Sequence, residues 1–177
     1  MRPRPTLHHF RRAIALAALL TACNDSSSPI ANPRVTLEDQ CDPTSFNAAL
    51  GAGACTGTGS MTLSQFNAEL SSTQQVAAWR FVPATLTIRV GQTIAAMNAG
   101  GEQHTFTEVA NFGGGIVPSL NNASGNPVEA PECAQLGPND FVASGQSFLA
   151  DAATSVGTEK YQCCIHPWMR AVVTVTN

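Results

Sequence analysis

The sequence predicts an all-β protein, a Greek-key β-sandwich that carries a short helical, disulfide-bearing extension at its N-terminal side. From Trp79 onward, short runs rich in β-branched and aromatic residues alternate apolar with polar positions. Turn-forming Gly, Pro and Asn residues separate these runs, and no long helical pattern lies between them. This order favours two packed sheets of antiparallel strands over a parallel sheet covered by helices. A chain of 177 residues is long enough for one such domain with extensions.

Residues 1–22 are predicted to be an export signal that is absent from the mature protein. Four arginines stand near its start, and the apolar run AIALAALL follows them. This run is shorter than the roughly 20 apolar residues that a membrane-spanning helix needs. The following Leu-Thr-Ala-Cys resembles the lipobox of bacterial lipoproteins, which implies that Cys23 is lipidated and anchors the protein to a membrane on the periplasmic side of the cell envelope. An ordinary signal peptide with Cys23 present by chance is the alternative.

The charge of the mature chain excludes one broad class of function. The whole sequence has 9 Lys+Arg and 12 Asp+Glu, and removal of residues 1–22 takes away four arginines and no acidic residue. Five basic and twelve acidic residues remain, so the formal net charge is −7. An acidic surface repels the phosphate backbone, and we therefore expect no nucleic-acid partner.

Two segments are predicted to precede the sandwich. Residues 23–40 are polar, contain proline and lack sustained periodicity, so we expect a lipidated tether. Residues 41–75 are predicted to form the helical extension. Its first helix would begin at Asp42, because aspartate can cap a helix and the following proline suits the first helical position. A second helix is expected over Thr62–Leu70, which opens with a capping-box pattern.

Residues 76–177 are predicted to form the sandwich domain. Leu86, Ile88 and Val90 alternate with polar residues in one predicted strand. Further strands are predicted for the runs TIAAMN, HTFTEV, QSFLA, EKYQCC and AVVTVTN. Residues 111–140, which are rich in Gly, Pro and Asn, show no clear pattern of regular structure.

The segment YQCCIHPWMR contains the residues with the strongest chemical signal. Cys163, His166 and Met169 follow the spacing Cys-x2-His-x2-Met. A blue-copper site uses a thiolate and two imidazoles in a plane, with a weak axial thioether. His104 is the one other histidine of the mature sequence, so it would supply the second imidazole from a distant strand. A Cys-His nucleophile is an alternative interpretation, but it leaves Met169 unexplained.

Two segments, FVPATLTIRVGQTIAAMNAGGEQHTF and YQCCIHPWMRAVVTV, resemble the cupredoxins, in particular the plastocyanin- and amicyanin-like blue copper proteins. The resemblance covers residues 80–177. It implies a Greek-key β-sandwich that transfers single electrons to and from redox protein partners and has no enzymatic activity. We expect a monomer. The resemblance also implies one type 1 copper ion, held by His104, Cys163, His166 and Met169.

The resemblance carries two expectations about the metal loop. In the family the loop histidine reaches solvent through an apolar patch at which partners dock, which implies that Pro167 and Trp168 belong to such a patch beside His166. Amicyanin-like loops often carry proline where this chain has Ile165. Ile165 keeps its backbone N–H, which we expect to lie near the Cys163 sulfur and to raise the reduction potential.

The two adjacent cysteines of the loop are not equivalent. Neighbouring side chains on a strand point to opposite faces, so one cysteine faces the metal and the other faces away. Geometry alone also allows Cys164 and His166 to share a face. The register of the family and the step to Met169 both favour Cys163 as the ligand.

The cysteine count is consistent with an oxidising compartment. With one cysteine lipidated and one on copper, four remain, which can form two disulfides. Of the three possible pairings we favour Cys41–Cys55, which closes a short loop, together with Cys133–Cys164.

Other copper functions compete with electron transfer. An enzyme with several copper centres needs further histidine ligands, which the mature sequence lacks. A copper storage or delivery module would usually show His- or Met-rich tracts, whereas Met61 and Met97 stand alone. Storage or delivery stays the alternative, because a sequence does not reveal redox poise or the rate of copper exchange. A fold kept only for binding another protein is disfavoured by the complete ligand set.

Overall fold

The computed structural model describes residues 32–177. The predicted export signal, the lipidation site Cys23 and the first part of the predicted tether lie outside the described residues. Within residues 32–177, every helix falls short of the length and apolar character that a membrane crossing requires.

Short strands dominate the regular structure of residues 32–177. The strands are β1 (Arg34–Glu38), β2 (Arg80–Val82), β3 (Thr85–Arg89), β4 (Ala95–Asn98), β5 (His104–Thr105), β6 (Thr107–Glu108), β7 (Phe141–Val142), β8 (Ser147–Leu149), β9 (Gly157–Gln162) and β10 (Arg170–Thr176). The helices are α1 (Pro43–Leu50), α2 (Leu63–Thr73) and α3 (Pro118–Ala123), with two 3-10 turns at Cys133–Gln135 and Pro138–Asp140.

The strands form two four-stranded sheets and one two-stranded sheet. The first sheet has the order β2-β1-β4-β8, the second has the order β3-β10-β9-β6, and β5 pairs with β7. Buried side chains of both larger sheets, such as Leu37 of β1 and Val173 of β10, belong to one hydrophobic core. The predicted all-β sandwich is therefore confirmed.

The sheets are mixed, whereas the sequence predicted antiparallel strands throughout. The pairs β1–β4 and β3–β10 are parallel. A parallel pair needs a long connection between its strands. The chain provides one, because α1, α2, β2 and β3 all lie between β1 and β4.

Strand β1 corrects the predicted tether. Residues 34–38 lie within the interval 23–40 that was expected to be a tether, yet β1 occupies a central place between β2 and β4. Val35 and Leu37 are fully buried, and the intervening Thr36 is not. Only two of the five residues of β1 are apolar. The alternation of apolar and polar residues was therefore too brief to be recognised within a polar segment.

The two helices of the extension begin as the sequence predicts. Asp42 caps α1 by accepting a hydrogen bond from the backbone N–H of Ser45 at 2.9 Å, and Pro43 occupies the first turn. Thr62 and Gln65 form the predicted capping box at the start of α2.

The extension shares its core with the sandwich. Phe46 of α1 stacks on Trp79 with ring centroids 5.9 Å apart, and Phe66 of α2 meets the same indole edge-on at 4.8 Å. All three rings are buried in the core that also contains the inner faces of the sheets. The predicted boundary between residues 41–75 and 76–177 therefore does not separate two cores.

Two disulfides constrain the chain, and they are the pairings that the sequence favoured. Cys41 is bonded to Cys55 and Cys133 to Cys164, with Cα–Cα distances of 6.1 and 5.4 Å. Within residues 32–177, Cys163 is the free cysteine, and it is buried.

Residues 111–140 have more structure than the sequence indicated. They contain α3 and are held by the buried amide of Asn121, which accepts from the N–H of Gly115 at 2.6 Å and donates to its carbonyl at 2.7 Å. The N–H of Ile116 donates to the carbonyl of Cys164 at 2.7 Å. This segment therefore lies directly against the loop that follows β9.

The shared core predicts the effect of truncating a side chain in α1. Phe46→Ala should lower the free energy of unfolding by about 3–5 kcal/mol, because a large buried aromatic side chain is lost. Leu50→Ala in the same helix is the matched control, because Leu50 is 58% exposed, and it should change stability by less than about 0.5 kcal/mol. Urea denaturation of the folded domain measures both values. Equal, small effects would contradict a core that includes the extension.

Candidate metal centre

The structure brings three of the predicted ligands together. His104 lies in β5, Cys163 directly follows β9, and His166 lies in the loop between β9 and β10. The Sγ atom of Cys163 is 3.8 Å from Nδ1 of His104 and 3.9 Å from Nδ1 of His166. All three residues are buried, and their donor atoms lie within 4.8 Å of one another. The strand containing His104 is thus brought to the loop, as a site built from distant segments requires.

Backbone hydrogen bonds fix the loop between Cys163 and Met169. The N–H of Cys163 donates to the carbonyl of Met169 at 3.0 Å, and the N–H of Met169 donates to the carbonyl of His166 at 2.9 Å. Met169 is buried directly before β10, three residues after His166. Its role as the axial thioether stays a prediction.

The sulfur of Cys163 accepts two backbone hydrogen bonds, and neither comes from the residue that the sequence suggested. The donors are the N–H groups of Thr105 and His166, each 3.4 Å from Sγ. The expectation that Ile165 donates is corrected, because the turn of the loop aims the N–H of the next residue at the sulfur. Thr105 also positions the loop through its hydroxyl, which accepts from the N–H of Cys164 at 2.8 Å.

Cys164 faces away from the three donor atoms. It is bonded to Cys133 and lies in a second, smaller hydrophobic cluster with Val109 and Ala130. The alternation of side chains along the end of β9 therefore places the two adjacent cysteines on opposite sides. Cys163 is the cysteine that faces both imidazoles.

Asp39 is a functional candidate that the sequence analysis missed. Its Oδ2 atom lies 2.9 Å from Nε2 of His104, the ring nitrogen that faces away from Cys163. Asp39 follows β1 in the segment that was expected to be a tether, 65 residues before His104. No local pattern connects the two positions, so sequence spacing gave no signal.

Burial and hydrogen bonding oppose each other at this pair. Burial alone would raise the pKa of Asp39, but hydrogen bonds from His104 and from the backbone of Gly101 and Glu102 lower it to about 2. Burial would likewise lower the pKa of His104, but Asp39 and Cys163 together raise it to about 9. In the protein without metal, the charged forms of these groups therefore stabilise one another.

His166 is enclosed, which corrects the expectation that it reaches solvent. Only 3% of its surface is exposed, because the rings of Phe66, Trp79 and Trp168 pack around it at centroid distances of 6.4, 6.4 and 5.5 Å. Pro167 is buried as well, whereas Trp168 is partly exposed. Of the predicted docking residues, Trp168 alone connects the histidine with the surface.

A second carboxylate lies beside His166. Oε2 of Glu102 is 3.5 Å from Nε2 of His166 and accepts a hydrogen bond from Nε1 of Trp79 at 2.7 Å. Burial raises the pKa of Glu102, and the opposing effects of His166 and Trp79 do not offset it. Each imidazole thus has a carboxyl group on the side opposite the sulfur, with the closer contact at His104.

A first-row metal ion fits between the three donor atoms. With bonds of about 2.1 Å to imidazole and about 2.3 Å to thiolate, as for zinc, angles from tetrahedral to trigonal imply sulfur–nitrogen separations of about 3.6–3.8 Å. The separations of 3.8 and 3.9 Å lie at and just beyond the trigonal end of this range. Two imidazoles and one thiolate in a trigonal arrangement are the equatorial donors of a blue-copper centre.

No family model and no curated protein matches this chain. Among solved structures the chain is similar to a purple cupredoxin from Nitrosopumilus maritimus, with 16% identity over 82% of this chain and 100% of that one and a TM-score of 0.46. It is also similar to oxidised plastocyanin from Dryopteris crassirhizoma, with 17% identity over 81% and 99% of the two chains and a TM-score of 0.42. A third similar structure is a mutant amicyanin in the Cu(I) form, with 20% identity over 58% of this chain and 78% of that one and a TM-score of 0.39. These likenesses concern the fold and not the function.

The histidines predict the ionisation of Cys163 in protein without metal. Burial would raise the pKa of the thiol, but hydrogen bonds with His104 and His166 lower it well below its usual value. The ultraviolet absorbance of a thiolate should therefore persist when the pH falls well below about 8.5, where free cysteine titrates. Cys163→Ser is the control that should lack this absorbance. Titration of Cys163 in the ordinary range would contradict the pairing.

Proposed function

We propose that this protein is a cupredoxin-type electron carrier of the cell envelope that holds one type 1 copper ion. One observation carries the proposal, namely that the Cys163 sulfur and the Nδ1 atoms of His104 and His166 converge at 3.8–3.9 Å in a buried site. Copper bound there would supply a one-electron Cu(II)/Cu(I) couple. The proposed ligands are His104, Cys163, His166 and the axial Met169.

In such a function the protein restricts the movement of the donor atoms. The backbone hydrogen bonds of the loop and the two N–H donors to the Cys163 sulfur leave little freedom at the thiolate. A buried site also keeps water from adding to the coordination sphere. Rigid ligands do not rearrange when the ion changes its oxidation state. Electron exchange is then fast, because little reorganisation accompanies each transfer.

Burial of the donors argues against an enzyme. His104 and Cys163 have no exposed surface and His166 has 3%, so a substrate has no direct access to the place where the ion would lie. An electron needs no such access, because it can pass through packed side chains. Trp168 packs on His166 and is partly exposed, so we propose that redox protein partners dock near this indole.

Copper storage or delivery is the second candidate. Release of an ion to another protein needs ligands that can be reached or that move. The loop is closed by backbone hydrogen bonds and tied to the Cys133–Cys164 disulfide, which opposes such movement. The enclosed site therefore favours a resident ion over a transported one.

Replacement of the thiolate tests the ligand assignment. Cys163→Ser should abolish the intense visible colour of the copper-loaded protein, because charge transfer from thiolate to Cu(II) produces that colour. The paired replacement of Cys133 and Cys164 by serine is the control, since it removes the disulfide without leaving a free thiol and should keep the colour. Visible absorption of the folded variants decides. Colour in Cys163→Ser, or a colourless but folded control, would contradict the assignment.

The proposed location in the envelope predicts the effect of removing the lipidation site. We propose that Cys23 anchors the mature protein to a membrane on the periplasmic side. Cys23→Ala should move the protein from the membrane fraction to the soluble fraction, because the acyl chains are lost, and copper binding by residues 32–177 should be unchanged. Mass spectrometry of the wild-type protein provides the check on modification. Unmodified Cys23 in a soluble mature protein would refute the anchor.

A further inference from the structure

Asp39 accepts hydrogen bonds on both of its carboxylate oxygens. Its Oδ1 accepts from the N–H groups of Cys41 at 3.1 Å and Gly101 at 2.9 Å. Its Oδ2 accepts from the N–H of Glu102 at 3.0 Å and lies 2.9 Å from Nε2 of His104. The residue as a whole is 5% exposed, and its side chain has no exposed surface. Four donors therefore converge on one buried anion.

The surrounding chain is built to let this anion approach. The sequence NAGGEQH places two glycines at positions 100 and 101, just before His104. A Cβ atom at Gly100 would collide with the carboxylate of Asp39, and one at Gly101 would collide with the sulfur of Cys41. The Cys41–Cys55 disulfide fixes the chain two residues after Asp39. The contact between Asp39 and His104 is thus held from both sides.

An ionised carboxylate can only accept hydrogen bonds. Nε2 of His104 must therefore carry the proton of their contact. When the ring is neutral, as a metal ligand must be, its lone pair is then on Nδ1, the atom that faces the Cys163 sulfur. A carboxylate in this position also makes the imidazole a stronger donor to a metal ion. His166 has a weaker counterpart, because Glu102 is 3.5 Å away and already accepts from Trp79.

We infer that Asp39 is the positioning residue of the metal centre: it fixes the Nε2–H tautomer and the orientation of His104, strengthens this ligand and favours the more highly charged state of the ion. The inference rests on the proposed function for its redox part only. Its structural part applies to any divalent ion that the three donors bind. The N-terminal segment before α1 would thus supply a residue that contacts a ligand but not the ion, whereas the ligands themselves lie in the sandwich.

The first test needs no variant. Protein labelled with nitrogen-15 and loaded with Zn²⁺, which is diamagnetic, should show the His104 ring protonated at Nε2 in long-range proton–nitrogen spectra. The proton should exchange slowly with water, because it is buried and donated to Asp39. A His104 ring that carries its proton on Nδ1, or an Nε2 proton without a hydrogen-bond signature, would overturn the inference.

The second test compares two charge-neutral replacements. Asp39→Asn places an amide NH2 among backbone N–H donors, so it should weaken Zn²⁺ binding about 10–100-fold, the usual effect of losing such an outer partner. Asp42→Asn removes the same charge three residues away, keeps a good helix cap and should bind Zn²⁺ as the wild type does. Competition with a chelator measures the affinities, and circular dichroism verifies the fold of each variant.

Copper supplies a readout that a merely structural role would not change. In Asp39→Asn the affinity for Cu(II) should fall more than that for Cu(I), and each tenfold difference raises the reduction potential by about 59 mV. A folded Asp39→Asn protein with wild-type affinity and potential would overturn the inference.

If the variant does not fold, the Zn²⁺ spectra of the wild type still decide. A wild-type protein that binds Zn²⁺ with the expected tautomer but gives no coloured copper form would refute the proposed function and leave the role of Asp39 intact.

Discussion

The burial of a thiol and two imidazoles is the constraint on which the rest of this structure depends. Polar groups without water need fixed partners, and a charged group needs them most. The Cys163 sulfur accepts hydrogen bonds from two backbone N–H groups. His104 is hydrogen-bonded to Asp39, and His166 lies beside Glu102. Strand β1, the tight glycine turn before β5 and both disulfides hold these partners in place. The fold can be understood as a scaffold for one buried cluster.

The N-terminal segment is part of that scaffold. Strand β1 lies inside the first sheet, Asp39 follows it, and Phe66 of α2 covers the ring of His166. A sandwich without these residues would leave His166 open on one side and His104 without its carboxylate. If the proposed function holds, an electron would pass through the packed indole of Trp168, because His166 itself is enclosed.

The sequence predicted the centre of the site better than its surroundings. His104, Cys163 and His166 could be proposed because residues 23–177 contain only two histidines and one of them shares a short motif with the cysteine. Helix α1 was also predictable, since its cap and first proline are local signals. Asp39 was not, because its partner is 65 residues away and only tertiary packing joins them. Strand β1 was missed for a related reason, because only its pairing with β2 and β4 shows that its two apolar residues are buried.

On the proposed function, burial of the donors favours a resident redox ion over a transported one. The most direct measurement is a redox titration of the copper-loaded protein, in which visible absorption is followed while electrons are added and removed in known amounts. An electron carrier should take up one electron per chain, lose its colour and regain it fully over repeated cycles, and release no copper into the filtrate. Copper that is lost on reduction, or a site that stays colourless and reduced throughout, would contradict an electron carrier and favour storage or delivery.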